Sequence, residues 1–154
     1  MSRNHFSVTA DIPAPPPLVW SIIVDVERWP EWTASISHVK KLAPGPLQVG
    51  SHVRIRQPKL LPALWRVTEL NPGAGFTWIS CAPGVRVTAR HIAEVIATGT
   101  RVTLSIHYAG LLGVLLARWV GDLNERYLDL EANGLKARCA EHMVKPSSEH
   151  HEAH

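Results

Sequence analysis

Between Leu111 and about His142, Leu112, Leu116, Trp119, Leu123, Tyr127 and Leu130 recur at steps of three and four, with Arg118, Asp122, Arg126, Asp129 and Lys136 between them. That spacing predicts one long amphipathic helix. About thirty residues in a helix run roughly 45 Å. A bulky stripe of that length must lie on a broad apolar surface, so the rest of the chain has to supply one.

The middle of the chain does so. From Ile36 onward the texture changes to short runs rich in Val, Ile, Thr and Trp, which predict strands near 36–43, 50–57, 63–71, 75–82, 85–97 and 100–109. Pro44-Gly45-Pro46, Pro58 to Pro62, Pro72 to Gly75, Pro83-Gly84 and Thr98-Gly99 punctuate them. Turn chemistry at such short intervals implies consecutive hairpins and an antiparallel meander. Upstream, His5 to Ile12 alternates as a first strand, and Pro13 ends it. Leu18 to Val26 then reads as a short helix led in by prolines, and Pro30 breaks Asp25 to Trp32 into a second helical turn. The order of strand, helix pair, six strands and long helix is an α+β layer arrangement.

A length of 154 residues suits one domain, taken as residues 1–143, with 144–154 read as a disordered polar tail. His150, His151 and His154 in that tail lack the partners that would complete a metal site, and no metal or other cofactor is expected. Hydrophobic residues at 45 % and charged residues at 19 % describe a soluble globular chain. The net charge of +3 comes from scattered basic residues, so no nucleic-acid footprint forms. Residues Met1 to His5 lack signal-peptide character, and the longest uncharged apolar run, Leu111 to Ala117, falls short of the ~20 residues that span a bilayer. Cys81 and Cys139 are read as two buried thiols in a reduced, cytoplasmic protein, monomeric or homodimeric.

Several stretches together resemble a known family. Asp25-Val-Glu-Arg-Trp-Pro-Glu-Trp32, Val49-Gly50-Ser51, Gly75-Phe-Thr-Trp78, Gly99-Thr-Arg-Val-Thr-Leu104 and Glu131-Ala-Asn-Gly-Leu-Lys-Ala-Arg138 are similar, in matching order, to bacterial polyketide cyclase/dehydrase-like proteins of the START-related (SRPBCC, birch-pollen-allergen-like) superfamily. The resemblance implies a helix-grip fold, in which a seven-stranded antiparallel sheet wraps around the C-terminal helix and encloses an apolar cavity. It also implies binding of a lipid, polyketide or similar hydrophobic molecule. A fold of this kind does not by itself assign function. No catalytic set from the polyketide aromatases maps onto these residues.

Strand alternation selects candidate wall residues independently. Val85, Val87, Ala89, His91, Ala93 and Val95 share one face of the sixth strand, which leaves His91 as its one polar member. Two readings stay open for it: a hydrogen-bonding or proton-transfer group titrating near neutrality, or a core histidine satisfied by a neighbour. In the seventh strand Leu104 and Tyr108 point inward and His107 outward. Trp65, Val67, Phe76 and Trp78 are expected on the same inner surface, with Trp119, Leu123 and Tyr127 facing them from the helix. Trp29 and Trp32 are read as packing residues, and Pro58 to Pro62 as a lip over the pocket or a hairpin loop.

Three functions follow from these readings. The first is binding of a small hydrophobic or aromatic molecule between sheet and helix, through the ten residues Trp65, Val67, Phe76, Trp78, His91, Leu104, Tyr108, Trp119, Leu123 and Tyr127. The second is a cyclase or dehydratase on a polyketide-type substrate, using His91 and Tyr108. The third is an interaction domain with a filled core.

Overall fold

A computed structural model of the protein describes residues 4–144. β1 (His5–Ile12) passes through Pro13 into α1 (Pro16–Val24), where Pro16 and Pro17 occupy the first turn, whose N–H groups have no helical partner to lose. The helix sits two residues earlier than the apolar spacing placed it. Asp25 leaves helical geometry, and a 3-10 helix follows at Val26–Glu31 with Pro30 inside it. Then come β2 (His38–Lys41), β3 (His52–Arg56), β4 (Ala63–Asn71), β5 (Gly75–Ala82), β6 (Val85–Ile96), β7 (Gly99–Ala109) and α2 (Leu111–Val144). Of the tail expected from residue 144, Val144 belongs to α2 and the rest lies outside the described residues.

All seven strands form one antiparallel sheet in the order β1-β7-β6-β5-β4-β3-β2. β2 to β7 are the meander that the turns predict. β1 returns to pair with β7, setting Asp11 opposite Arg101, and the two side chains make a paired ion contact at 2.8 and 3.1 Å. A register shift between Val67 and Glu69 marks a bulge where β4 meets β5. Such an irregularity increases local twist and helps a sheet curl. The chain has the helix-grip arrangement.

Alternation puts Val53, Trp65, Val67, Phe76, Trp78 and Leu104 in the core, each fully or nearly fully buried. Burying a side chain of this size stabilises the fold by roughly 1.5–3 kcal/mol, so this inner face carries much of the cohesion. Val95, expected on the same face, is exposed because it lies one residue from the end of β6, beyond the covered part of the sheet. Cys139 is buried and Cys81 is exposed near the end of β5, so the two thiols differ in setting, against the expectation that both are buried; both are free. Burial pushes the Cys139 thiol up to about 11.

α2 rests on the sheet through a stripe different from the one its leucines suggest. Gly113, Ala117, Asn124, Leu128, Leu135 and Cys139 are among its buried residues, while Leu111, Leu112, Leu115, Leu116 and Trp119 are exposed. In the first half, small residues face inward and allow close approach. A β-carbon on Gly121 would already stand 3.2 Å from the Phe6 ring. In the second half the helix is pinned from the other side. Gly134 passes so near the loop after the 3-10 helix that a β-carbon there would collide with the Trp32 carbonyl oxygen, and Arg138 reaches Glu31 at 2.6 Å. No helix among the described residues is long and apolar enough to cross a membrane.

Candidate functional site

Under the second half of α2 the sheet and helix stand apart, leaving a cavity of about 50 Å³. That is room for roughly three or four waters, or for one small chemical group. Its walls include Trp29 from the 3-10 helix, Ile55 from β3, Trp65 from β4, Trp78 from β5, and Leu128 from α2. Three polar side chains interrupt them, Gln57, His91 and Glu131, while Ser105 of β7 borders the space with its side chain on the outer face of the sheet.

The indoles are positioned by packing and by one hydrogen bond. Trp29 Nε1 donates to the Ile23 carbonyl at 3.0 Å, which fixes the ring at the base of the 3-10 helix. Its centroid lies 5.4 Å from that of Trp78, which in turn lies 5.8 Å from Trp65. The three form a continuous aromatic wall.

His91 is 6 % exposed and sits flat against Phe76, with centroids 4.4 Å apart and planes at 12°. Trp29 and Trp78 hold its other sides at 5.2 and 5.5 Å. Burial among these rings pulls its pKa down to about 3, opposed only by the Phe76 backbone. The imidazole is therefore neutral at ordinary pH, which goes against the first of the two readings, titration near neutrality. Its Nδ1 is buried and has no hydrogen-bond partner among the described residues.

Glu131 faces the same cavity from α2. Ser35 Oγ donates to its Oε1 at 3.4 Å, and Ser35 shares a 2.7 Å hydrogen bond with the Thr33 hydroxyl. The residue as a whole is half-buried, but its carboxyl is the enclosed part, and burial pushes the pKa up to about 7 against the opposing Ser35 bond. Gln57 stands beside this group and donates from Nε2 to the Ser35 carbonyl at 3.3 Å. One end of the cavity is thus polar and the remainder is aromatic and aliphatic.

The ten residues expected to line a pocket divide into three sets. Trp65, Trp78 and His91 line the cavity. Phe76, Val67 and Leu104 are buried in the core without lining it, Phe76 serving as the plate on which His91 stacks. The other four act elsewhere. Tyr108 is buried edge-on to Phe6, and its hydroxyl accepts a 2.7 Å hydrogen bond from Asn124 Nδ2. Tyr127 donates its hydroxyl to the Pro58 carbonyl and so fastens the β3–β4 loop to α2. Leu123 is half-buried, and Trp119, expected to face the sheet, is 83 % exposed. Trp29, read as packing alone, both packs and lines the cavity.

Residues 3–140 match the family model described as polyketide cyclase / dehydrase and lipid transport. The chain belongs to that family. Among solved structures, it is similar to the Zhui aromatase/cyclase of Streptomyces sp. R1128, at 19 % identity and TM-score 0.75, over 92 % of this chain and 96 % of that one. A START superfamily protein from Mycobacterium smegmatis matches at 16 % identity and TM-score 0.70, over 90 % and 99 %. The protein TTHA0849 from Thermus thermophilus matches at 19 % identity and TM-score 0.71, over 89 % and 97 %. At these identities the likeness shows the fold. No curated protein matches the sequence.

Sequence reasoning missed Glu131, Gln57 and Ser105 as members of the cavity wall. For Glu131 a signal existed. Asn124, Leu128, Glu131 and Leu135 follow one another at steps of four, three and four, so a carboxylate interrupts the stripe that is buried. Only the bulkier, outward stripe hid it.

Proposed function

We propose that the protein binds a small hydrophobic or aromatic molecule, or the head of a larger one, in the cavity between the sheet and the second half of α2. The observation that carries this reading is the cavity itself, with three indoles and the His91 ring on its walls. Apolar walls with a few placed polar groups are the usual form of a small-molecule site. Membership of a polyketide cyclase / dehydrase and lipid transport family supports the same class of ligand. An enzyme in which His91 and Tyr108 act together draws no support from this geometry, because the Tyr108 hydroxyl is engaged by Asn124 and does not line the cavity.

Titration of the protein with small aromatic and aliphatic compounds, followed by tryptophan fluorescence, tests the reading. Saturable quenching is expected for at least one compound, weakened at least tenfold by Trp78→Leu. Absence of any saturable change across the panel, with no compound retained in native mass spectra, overturns it.

A further inference from the structure

The walls of this cavity contain no lysine and no arginine among the described residues. Its polar side chains are Gln57 beyond the end of β3, His91 on β6 and Glu131 on α2, with Ser35, in the segment after the 3-10 helix, holding Glu131; the 3-10 helix, β4 and β5 present Trp29, Trp65 and Trp78. Only two of them titrate. His91 is held neutral by burial, with its pKa at about 3. Glu131 has no charged neighbour shifting it, since burial and the Ser35 bond are its influences, and its pKa is about 7. The one charge this cavity can present is therefore negative.

That restricts what can enter. An anionic head, such as a carboxylate or enolate, would meet no cation and would force Glu131 to keep its proton. Burying such a charge unpaired is costly. A cationic nitrogen meets the opposite situation. The faces and edges of Trp29, Trp65 and Trp78 surround the space, and a cation within about 6 Å of an indole centroid is attracted by the ring. Loss of the proton from Glu131 then leaves a carboxylate to pair with it, and the pairing offsets part of the penalty that burial imposes on either charge alone. The volume of about 50 Å³ matches a head group in size and is too small for an extended chain.

We infer that the cavity selects a ligand whose buried head is a cationic, alkylated or protonated amine, seated among Trp29, Trp65 and Trp78 with Glu131 as its counter-ion. This rests on the proposed binding function and narrows it to one charge class. Because the bound form needs Glu131 ionised, binding releases a proton below pH 7. Affinity for a permanent cation rises with pH up to about 7 and levels off above it.

The test uses three probes of similar shape on the intact protein: benzyltrimethylammonium, its neutral isostere neopentylbenzene, and phenylacetate. Binding is followed by tryptophan fluorescence and calorimetry. At pH 8 the ammonium is expected to bind at least tenfold more tightly than the isostere, and phenylacetate more weakly than either. From pH 7 to pH 5 the ammonium affinity should fall about tenfold per unit, with the isostere unchanged. Glu131→Gln should abolish the ammonium's advantage while leaving isostere binding in place. The pH series on the unaltered protein gives the same information should that variant fail to fold. Equal or tighter binding of the isostere or phenylacetate at pH 8 overturns the charge selection and leaves the binding function standing. If none of the three binds, both fall.

Discussion

From Leu111 to Val120, α2 turns Gly113 and Ala117 toward the sheet and most of its leucines toward solvent; from Asn124 to Cys139 it turns Leu128, Leu135 and Cys139 inward. The first half lies close because its inner side chains are small, and it seals against β1 and β7. In the second half Tyr127, Leu128 and Leu135 are buried together with the smaller Ala132 and Cys139, and helix and sheet stand apart beside Leu128 and Glu131. The helix residues that line the space are Leu128 and Glu131, both in the second half. Asn124, bonded to Tyr108, stands where one regime gives way to the other.

The sharpest way to break this contrast is to truncate one leucine in each half. Leu135 is 1 % exposed, and Leu135→Ala should cost about 2–5 kcal/mol, the range for a buried leucine whose surroundings relax only partly. Leu115 is exposed, and Leu115→Ala should change stability by less than about 0.5 kcal/mol. Urea unfolding at constant slope measures both. Similar losses at the two sites would mean that the outward leucines of the first half are packed after all.

A second, intermediate effect comes from the two titrating groups of the cavity, which pull in opposite directions. The Glu131 pKa is raised, so the folded state holds a proton that the unfolded chain has released. Its contribution therefore makes stability fall as pH rises from about 4.5 to about 7. The His91 pKa is lowered, so the unfolded chain takes up the extra proton, and stability rises between about 3 and 6.5. Each slope reaches at most about 1.4 kcal/mol per pH unit, and they oppose each other where the windows overlap. The two nearly cancel in the parent protein from pH 4.5 to 6.5, so Glu131→Gln should make stability rise over that range and His91→Phe should make it fall. Parallel curves for all three proteins would show that neither group is as enclosed as its surroundings indicate.

The sheet was legible in the sequence because strand alternation and turn residues are local signals. Trp65, Trp78 and His91 could be placed on one inner face by counting in twos from Val85 or Trp65. The helix was legible as a helix, but its orientation was not. Leu112, Leu116 and Trp119 form the bulkier stripe, and apolar bulk is what periodicity detects, whereas Gly113 and Ala117 mark the true contact by being small. A one-residue rotation of that stripe moved Trp119 from wall to solvent and hid Glu131. The short segments mislead for a different reason. The proline beside Trp29 points to packing, and only the tertiary fold brings the 3-10 helix against β5 and β6.

The smallest expected effect concerns Trp119, the most exposed of the six tryptophans. Because the side chain stands off the sheet, Trp119→Ser should shift stability by less than about 0.5 kcal/mol. It should also remove the most red-shifted part of the emission and the part most open to acrylamide. The remaining indoles include Trp29, Trp65 and Trp78, all buried around the cavity, so ligand-induced quenching should become a larger fraction of the total signal. If instead the substitution blunts the ligand response, the first half of α2 takes part in binding and the division of the helix drawn above does not hold.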